Sequence, residues 1–265
     1  MFEDKKDESK AEIKKHTNSK DDLYSCLKHS AEHHTSYKIY YSDYEIVEKI
    51  INNKYLVLRN NGYNDKIDER NIQDESDGYR KFTICFTVSI SENVAMWVVY
   101  SKKKDGQFVR GAMIPFSKNM MKKIYDENKN EIEYGSFNIK NGKFSFIGKT
   151  NEFELEICDV IYYDQNRKDD SLYDIKRSDS KTECKKDIID SLPYVKKYYP
   201  WNYENECRLI VKIKSSEIDS KVNAVRLVLP DDVIESMKKN CVSSPLCIND
   251  SKMKNSTLMG QLDFS

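Results

Sequence analysis

Alternating charged residues at the start of an apolar segment offer the clearest chemistry in this sequence. Glu204, Glu206 and Arg208 lead into Leu209–Ile213, which has the composition of a buried strand. Side chains alternate between the two faces of a strand, with a rise of ~3.3 Å per residue, so the three charged groups are predicted to share one face. They form either a functional site or an ion-pair ladder that also includes Lys197.

Histidine is confined to the first part of the chain, at His16, His29, His33 and His34. Residues 35–265 contain none. A Ser-His-Asp or Cys-His catalytic centre in that part would lack its base, and a histidine-ligated metal site would lack its ligands. Chemistry in the main domain is therefore predicted to use carboxylates, hydroxyls, amides, Tyr, Lys or Arg, with no metal.

Composition narrows the class of protein. Lysine and arginine number 44, as do aspartate and glutamate, and this zero net charge argues against a general polyanion binder. Seven cysteines without a C-x-x-C pair indicate reduced thiols and a cytoplasmic location. Residues 1–20 are charged throughout, so no signal peptide is expected, and the longest apolar run, Val94–Tyr100, is too short to span a bilayer.

The element pattern favours one α+β domain over 37–265, preceded by a polar N-terminal extension over 1–36 that is partly disordered or helical. Strict alternation over Phe82–Ile90 predicts a strand, and a capping box from Ser89 to Glu92 predicts a helix that starts near residue 90. The charged segment Asp164–Ser180 is predicted to be a loop or insertion. A last edge strand is predicted at Leu246–Ile248.

Several segments together resemble the bacterial family catalogued as domain of unknown function 2971. They share the order of its motifs and cover roughly residues 38–262: Ile39-Tyr40-Tyr41-Ser42, Asn64-Asp65, Cys85-Phe86-Thr87, Met96-Trp97-x-x-Tyr100, Gly111 and Trp201-x-x-Glu204-x-Glu206-x-Arg208. The last motif is the most specific. Three positions depart from the family pattern: Tyr40 stands where many members have histidine, Lys66 where proline is usual, and Thr87 where serine is usual.

The layout of that family is similar to the ADP-ribosyltransferase superfamily, and the likeness implies a split, mostly antiparallel central sheet flanked by short helices. It also implies an NAD-using effector, such as a toxin or phage-defence protein, that modifies a nucleic acid or a protein. Glu206 would be the catalytic carboxylate, with Glu204 holding the ribose or the acceptor. The implied NAD-binding residues are Tyr40, Tyr41, Ser42, Asn64, Asp65, Trp97, Tyr100 and Arg208.

Two other functions fit the same residues. The protein could be a non-enzymatic sensor that binds a ligand or partner in the same cleft. It could also be a metal-dependent nuclease that uses Glu204, Glu206 and Asp65 to hold Mg²⁺. Each motif also has a purely structural interpretation: Trp97 and Tyr100 as core residues, and Asn64-Asp65 as a turn. The sequence leaves the oligomeric state and the acceptor open.

Overall fold

The computed structural model describes residues 15–16, 19–34, 37–60, 77–89, 93–100, 110–138, 141–163, 172–177 and 180–243. Within these residues the α-helices are α1 (Lys20–His33), α2 (Tyr44–Asn53), α3 (Val94–Tyr100), α4 (Lys118–Asn128), α5 (Lys186–Asp190) and α6 (Asp231–Asn240). Short 3-10 helices span Pro193–Val195, Tyr199–Glu204 and Ser215–Glu217. The predicted strand at Leu246–Ile248 lies outside the described residues.

The strands divide between one large sheet and two small ones. They are β1 (Lys15–His16), β2 (Tyr37–Asp43), β3 (Tyr55–Arg59), β4 (Tyr79–Ser89), β5 (Gly111–Phe116), β6 (Ile132–Asn138), β7 (Lys143–Thr150), β8 (Phe153–Asp159), β9 (Ile161–Tyr163), β10 (Leu172–Arg177), β11 (Ser180–Lys185), β12 (Lys196–Tyr198), β13 (Glu206–Lys214), β14 (Ala224–Val228) and β15 (Val242–Ser243). β9 pairs with β12, and β1, β10 and β11 form a third sheet.

The large sheet is built around β4 and is antiparallel at every pairing among the described residues. β13 lies along one edge of β4, and β8 lies outside β13. The other edge of β4 carries two separate branches, one through β2, β5 and β15 and one through β3, β14, β6 and β7. The predicted α+β domain with a mostly antiparallel sheet is confirmed.

The sheet splits where β2 and β3 leave the edge of β4. β2 pairs with β4 only as far as Ile39 opposite Thr87, and β3 pairs with it only at Arg59 opposite Thr83. Between Thr83 and Thr87 no described strand covers this edge. Helix α2 connects the two diverging strands, so the gap is bounded by β2, α2 and β3.

The main core lies on the sheet face that is covered by α2, α4 and α6. The predicted apolar faces of β4 and β13 point into it, since Ile84, Phe86, Leu209 and Val211 are all buried there. A second cluster on the opposite face joins Leu23 of α1 to the sheet. Among the described residues, no helix is both long and apolar enough to cross a membrane.

Two local predictions are wrong. Helix α3 does not start at a capping box, because Ser89 still belongs to β4 and the helix begins at Val94. The side chain of Asn93 caps it by accepting bonds from the Ala95 and Met96 amides at 3.0 and 3.4 Å. The segment predicted as a loop over 164–180 contains strand β10, which pairs antiparallel with β11.

Candidate functional site

A left-handed turn at Asn205 brings together the two glutamates of the Trp-x-x-Glu-x-Glu-x-Arg motif. Glu204 ends a 3-10 helix, Asn205 has φ 42° and ψ 55°, and the strand begins only at Glu206. The prediction that Glu204 shares a strand face with Glu206 and Arg208 is therefore wrong. Asparagine tolerates this backbone region better than most residues, because its short polar side chain bonds locally. Here Asn205 Nδ2 donates to the Val88 carbonyl oxygen at 2.5 Å.

Glu204, Glu206, Arg208 and Lys197 form a buried ionic network, which we call the carboxylate cluster. Arg208 Nε donates to Glu206 Oε1 at 2.6 Å, and Arg208 Nη1 donates to the Tyr194 carbonyl oxygen at 2.7 Å. Lys197 Nζ bridges the two acids, at 2.5 Å from Glu204 Oε2 and 3.1 Å from Glu206 Oε2. Glu206 is only 2% exposed, and both of its carboxylate oxygens contact a cation.

Neighbouring groups hold the cluster in place. The Tyr162 hydroxyl accepts a bond from the Glu206 amide at 2.8 Å, and the Cys85 thiol donates to the Glu206 carboxylate. Lys197 Nζ lies 5.4 Å from the centre of the Trp201 ring, within the range of a cation–π contact. The first residue of the Trp-x-x-Glu-x-Glu-x-Arg motif therefore packs against the lysine that joins its two glutamates.

The two glutamates have opposite pKa shifts. Burial alone would raise the pKa of Glu206, but Arg208 and Lys197 outweigh it and lower the pKa to about 2. Burial raises the pKa of Glu204, and the nearby Glu206 adds to this effect, while Lys197 opposes it only in part. Glu206 is consequently ionised at neutral pH, and Glu204 is the carboxyl that takes up a proton more readily.

A cleft of about 430 Å³ occupies the split in the sheet. Its walls come from β2, α2, β3 and the exposed edge of β4, and include Tyr40, Tyr41, Ser42, Arg59, Ile84 and Cys85. Tyr40 and Tyr41 belong to opposite faces of β2, yet both line the cleft. Burial raises the pKa of Tyr40, whose hydroxyl hydrogen-bonds Ser42.

The main chain of Cys85 faces this cleft. Val88 donates its amide to the Asn205 carbonyl at 2.8 Å, so the main chain of Val88 points to the β13 side. In an antiparallel ladder the N–H and C=O of one residue point the same way and successive residues alternate, so Cys85 points to the opposite edge, like Thr83 and Thr87. Thr87 pairs with β2 and Thr83 with β3, but no described strand pairs with Cys85 there. The N–H donor and the C=O acceptor of Cys85 are thus presented side by side to the cleft.

The structure brings only some predicted site residues to the cleft. Trp97 is buried beside Tyr41, with ring centres 5.3 Å apart, in a small cluster with Met96 and Met113. The Tyr41 hydroxyl accepts a bond from the Asn93 amide at 3.1 Å, so it anchors the start of α3. Tyr40, Tyr41 and Ser42 line the cleft.

The remaining predicted residues lie elsewhere. Arg208, Glu204 and Glu206 belong to the carboxylate cluster behind the cleft wall, where Arg208 contacts Glu206 and Tyr194. Asn64 and Asp65 lie outside the described residues, as does the side chain of Tyr100. The prediction of a nuclease site, which needs Asp65, stays a prediction.

Sequence reasoning missed two cleft residues. Cys85 lies in a quoted motif, yet its type gives no sign that its main chain is the functional part. Arg59 follows an ordinary apolar strand, so nothing local distinguishes it. Among the described residues, no group of three His, Cys, Asp or Glu side chains is placed to hold a metal ion.

Comparison with known families adds one result. The family model described as protein of unknown function (DUF2971) matches residues 96–209. Over these residues the predicted resemblance to that family is confirmed. The DUF2971 match runs from Met96-Trp97 through Trp201, Glu204, Glu206 and Arg208, and so includes the whole carboxylate cluster. No curated protein and no solved structure matches the chain.

Proposed function

We propose that this DUF2971 protein uses NAD as an ADP-ribosyltransferase-like effector and binds the nicotinamide end in the split of the sheet. One observation carries the proposal: the N–H and C=O of Cys85 face the cleft without a strand partner among the described residues. A primary carboxamide presents one acceptor and one donor on the same edge, and so matches that pair as a neighbouring strand would. Nicotinamide carries such a group.

The carboxylate cluster supports the same function through Cys85. This residue lines the cleft and also donates its thiol to Glu206, so the ionised Glu206 lies directly behind the cleft wall. A fixed negative charge there favours the positive charge that develops on the ribose as the bond to nicotinamide breaks. Arg208, which contacts Glu206 and Tyr194, then serves as a positioning residue for Glu206.

In the proposed reaction the bond between the nicotinamide nitrogen and the ribose carbon breaks, and its electron pair leaves with nicotinamide. A nucleophile of the acceptor forms the new bond to that carbon and loses a proton. Glu204 is the better proton acceptor of the two carboxylates, because its pKa lies above the usual value. The acceptor would be a protein or a nucleic acid, as expected for a toxin or phage-defence effector.

A non-enzymatic ligand sensor is the second candidate. The ion pairs of the carboxylate cluster favour this alternative, because Lys197 and Arg208 each contact one carboxylate oxygen of Glu206. A carboxylate already neutralised by two cations contributes less to a transition state. In this alternative the cleft binds the same carboxamide ligand, and the buried cluster only maintains the fold.

Calorimetric titration of the full-length protein with nicotinamide and with nicotinate tests the cleft. Nicotinate has no donor for the Cys85 carbonyl, so we expect at least about tenfold weaker binding than for nicotinamide. Binding of neither compound, nor of NAD, would refute both candidates. Labelled NAD with protein and nucleic-acid acceptors then separates them, because transfer or hydrolysis supports the enzyme and binding without turnover supports the sensor.

A further inference from the structure

A second candidate surface lies at the outer edge of β8. It is separated from the cleft by strands β4 and β13. β8 pairs with β13 on one side, and no described strand pairs with it on the other. A groove of about 370 Å³ runs along this edge between two helices. Lys28 and Glu32 of α1 form one rim, and Tyr125 of α4 and Lys129, which follows that helix, form the other. We call it the edge groove.

The main chain of β8 presents a ladder of hydrogen-bonding groups to the edge groove. The Val160 amide donates to the Glu206 carbonyl at 3.0 Å, so the main-chain N–H of Val160 points toward β13. Residues an odd number of positions before Val160 must then point away from β13. Phe153, Leu155 and Ile157 therefore turn their N–H and C=O groups toward the outer edge of β8, where no described main-chain group bonds them. Phe153 and Leu155 also line the edge groove.

The side chains of β8 give the edge groove one apolar side and one acidic side. Phe153, Leu155 and Ile157 are half-buried against the main core. Glu154 and Glu156 point toward α1. Glu156 is held by Lys28 at 2.6 Å and by Lys212 at 2.8 Å, whereas Glu154 contacts Lys212 at 3.3 Å and keeps 49% of its side chain exposed.

Strand β8 of a second copy of this protein would fit the edge groove poorly. Antiparallel self-pairing centred on Leu155 would place Glu154 of one chain opposite Glu156 of the other. Like charges at directly opposite positions destabilise a strand pair. Acidic residues on an edge are one way in which proteins prevent such self-association. The rim lysines already have acidic partners, since Lys28 contacts Glu156 and Lys129 contacts Asp126. Glu32 and the half-exposed Glu154 therefore leave the edge groove with an excess of negative charge.

We propose that the edge groove binds an extended peptide of a partner protein by strand addition, and that this peptide alternates basic and apolar residues. Its main chain would bond with Phe153, Leu155 and Ile157. Its basic side chains would face Glu154 and Glu32, and its apolar side chains would continue the half-buried row of Leu155 and Ile157. Main-chain bonds supply affinity in this mode of recognition, and alternate side chains supply specificity. The proposal is independent of NAD binding in the cleft.

Fluorescence anisotropy with two labelled five-residue peptides tests this inference on the full-length protein. One peptide alternates lysine with valine, and the other alternates glutamate with valine. We expect the lysine peptide to bind at least about tenfold more tightly. Glu154→Lys should reverse the preference, while the control Glu235→Lys, at an exposed residue of α6 that does not line the edge groove, should leave it unchanged.

Hydrogen exchange followed by NMR locates the bound peptide. The amides of Leu155 and Ile157 should exchange more slowly when the lysine peptide is added, because the new strand bonds them. Three outcomes would overturn the proposal: no binding of either peptide, equal binding by wild type and Glu154→Lys, or binding without protection of these amides. Concentration-dependent dimerisation that protects the same amides would overturn it in favour of a second copy.

Discussion

The thiol of Cys85 hydrogen-bonds the Glu206 carboxylate, while the same residue turns its main chain into the cleft. One residue therefore belongs both to the cleft wall and to the buried carboxylate cluster. β4 makes this possible, because Cys85 lies at the point of the strand that neither β2 nor β3 covers. Occupancy of the cleft and the state of the cluster are expected to influence each other through this contact.

Filling the cleft should abolish ligand binding without unfolding the protein. Val57 of β3 lines the cleft and is half-buried, so Val57→Phe would place a ring in the space that the ligand needs. We expect nicotinamide affinity to fall by more than about tenfold while the free energy of unfolding changes by less than about 1 kcal/mol. Val228→Phe is the matched control, because Val228 is exposed on the adjacent strand. Unchanged affinity in Val57→Phe would place the ligand elsewhere.

Several strands can be predicted from the sequence, because burial of one sheet face requires an apolar side chain at every second position. Ile84 and Phe86 in β4, and Leu209 and Val211 in β13, recur at every second position and face the main core as predicted. Helix α6 likewise has one apolar face, on which Val233, Ile234 and Met237 are buried. Such elements can be predicted from their local sequence, because the spacing of the residues on one apolar face is enough to indicate a strand or a helix.

The site is harder to predict, because it depends on where strands stop pairing. Nothing in the sequence of β2 or β3 marks the residue at which each leaves β4. The turn at Asn205 is also ambiguous, because asparagine is common in many turns. Both features arise from the packing of α2 and of the 3-10 helix that precedes β13, so they appear only when the sheet is assembled.

A close main-chain approach at Gly135 should make that position intolerant of any side chain. β6 has a register irregularity between Tyr134 and Gly135, and a Cβ at Gly135 would lie 2.1 Å from the Ser145 carbonyl oxygen. Gly135→Ala is expected to lower the free energy of unfolding by about 2 kcal/mol or more. At Gly148 the added atom would meet the Tyr134 hydroxyl, the movable end of a side chain, so Gly148→Ala should cost less. Urea denaturation of both variants measures the difference.

The buried ion pair between Glu206 and Arg208 should appear as a large coupling energy. We expect Glu206→Gln and Arg208→Met each to cost about 3 kcal/mol of stability, because each leaves a buried charge without its partner. The double variant should cost at least about 1 kcal/mol less than the sum of the two. The exposed pair Glu131 and Lys149 is the control, for which a coupling below about 1 kcal/mol is expected.

The same variants separate structural from catalytic roles of Glu206. Activity per folded molecule is measured at a temperature and denaturant concentration where Glu206→Gln remains folded. A loss of about two orders of magnitude or more under those conditions supports the catalytic role. Full activity per folded molecule would leave Glu206 with a structural role alone, whatever its effect on stability.

Acid sensitivity should depend in opposite ways on the two glutamates. The pKa of Glu206 falls from 4.5 to about 2 on folding, so its stabilisation is complete above pH ~4.5 and is lost as the pH falls toward 2, at a cost of about 3 kcal/mol. The pKa of Glu204 is raised above 4.5, so folding gains stability from Glu204 as the pH falls through that raised pKa toward 4.5, and gains no more below it.

Two substitutions make this acid profile testable. Glu206→Gln removes the depressed carboxyl and should flatten the loss of stability between pH 4.5 and 2. Glu204→Gln removes the opposing gain, so above pH ~4.5 its stability should rise less with added acid than that of the wild type. Denaturant unfolding at a series of pH values measures both slopes. Parallel profiles for the wild type and Glu206→Gln would mean that Arg208 and Lys197 do not hold the Glu206 carboxylate ionised, and the carboxylate cluster would then lose its electrostatic role.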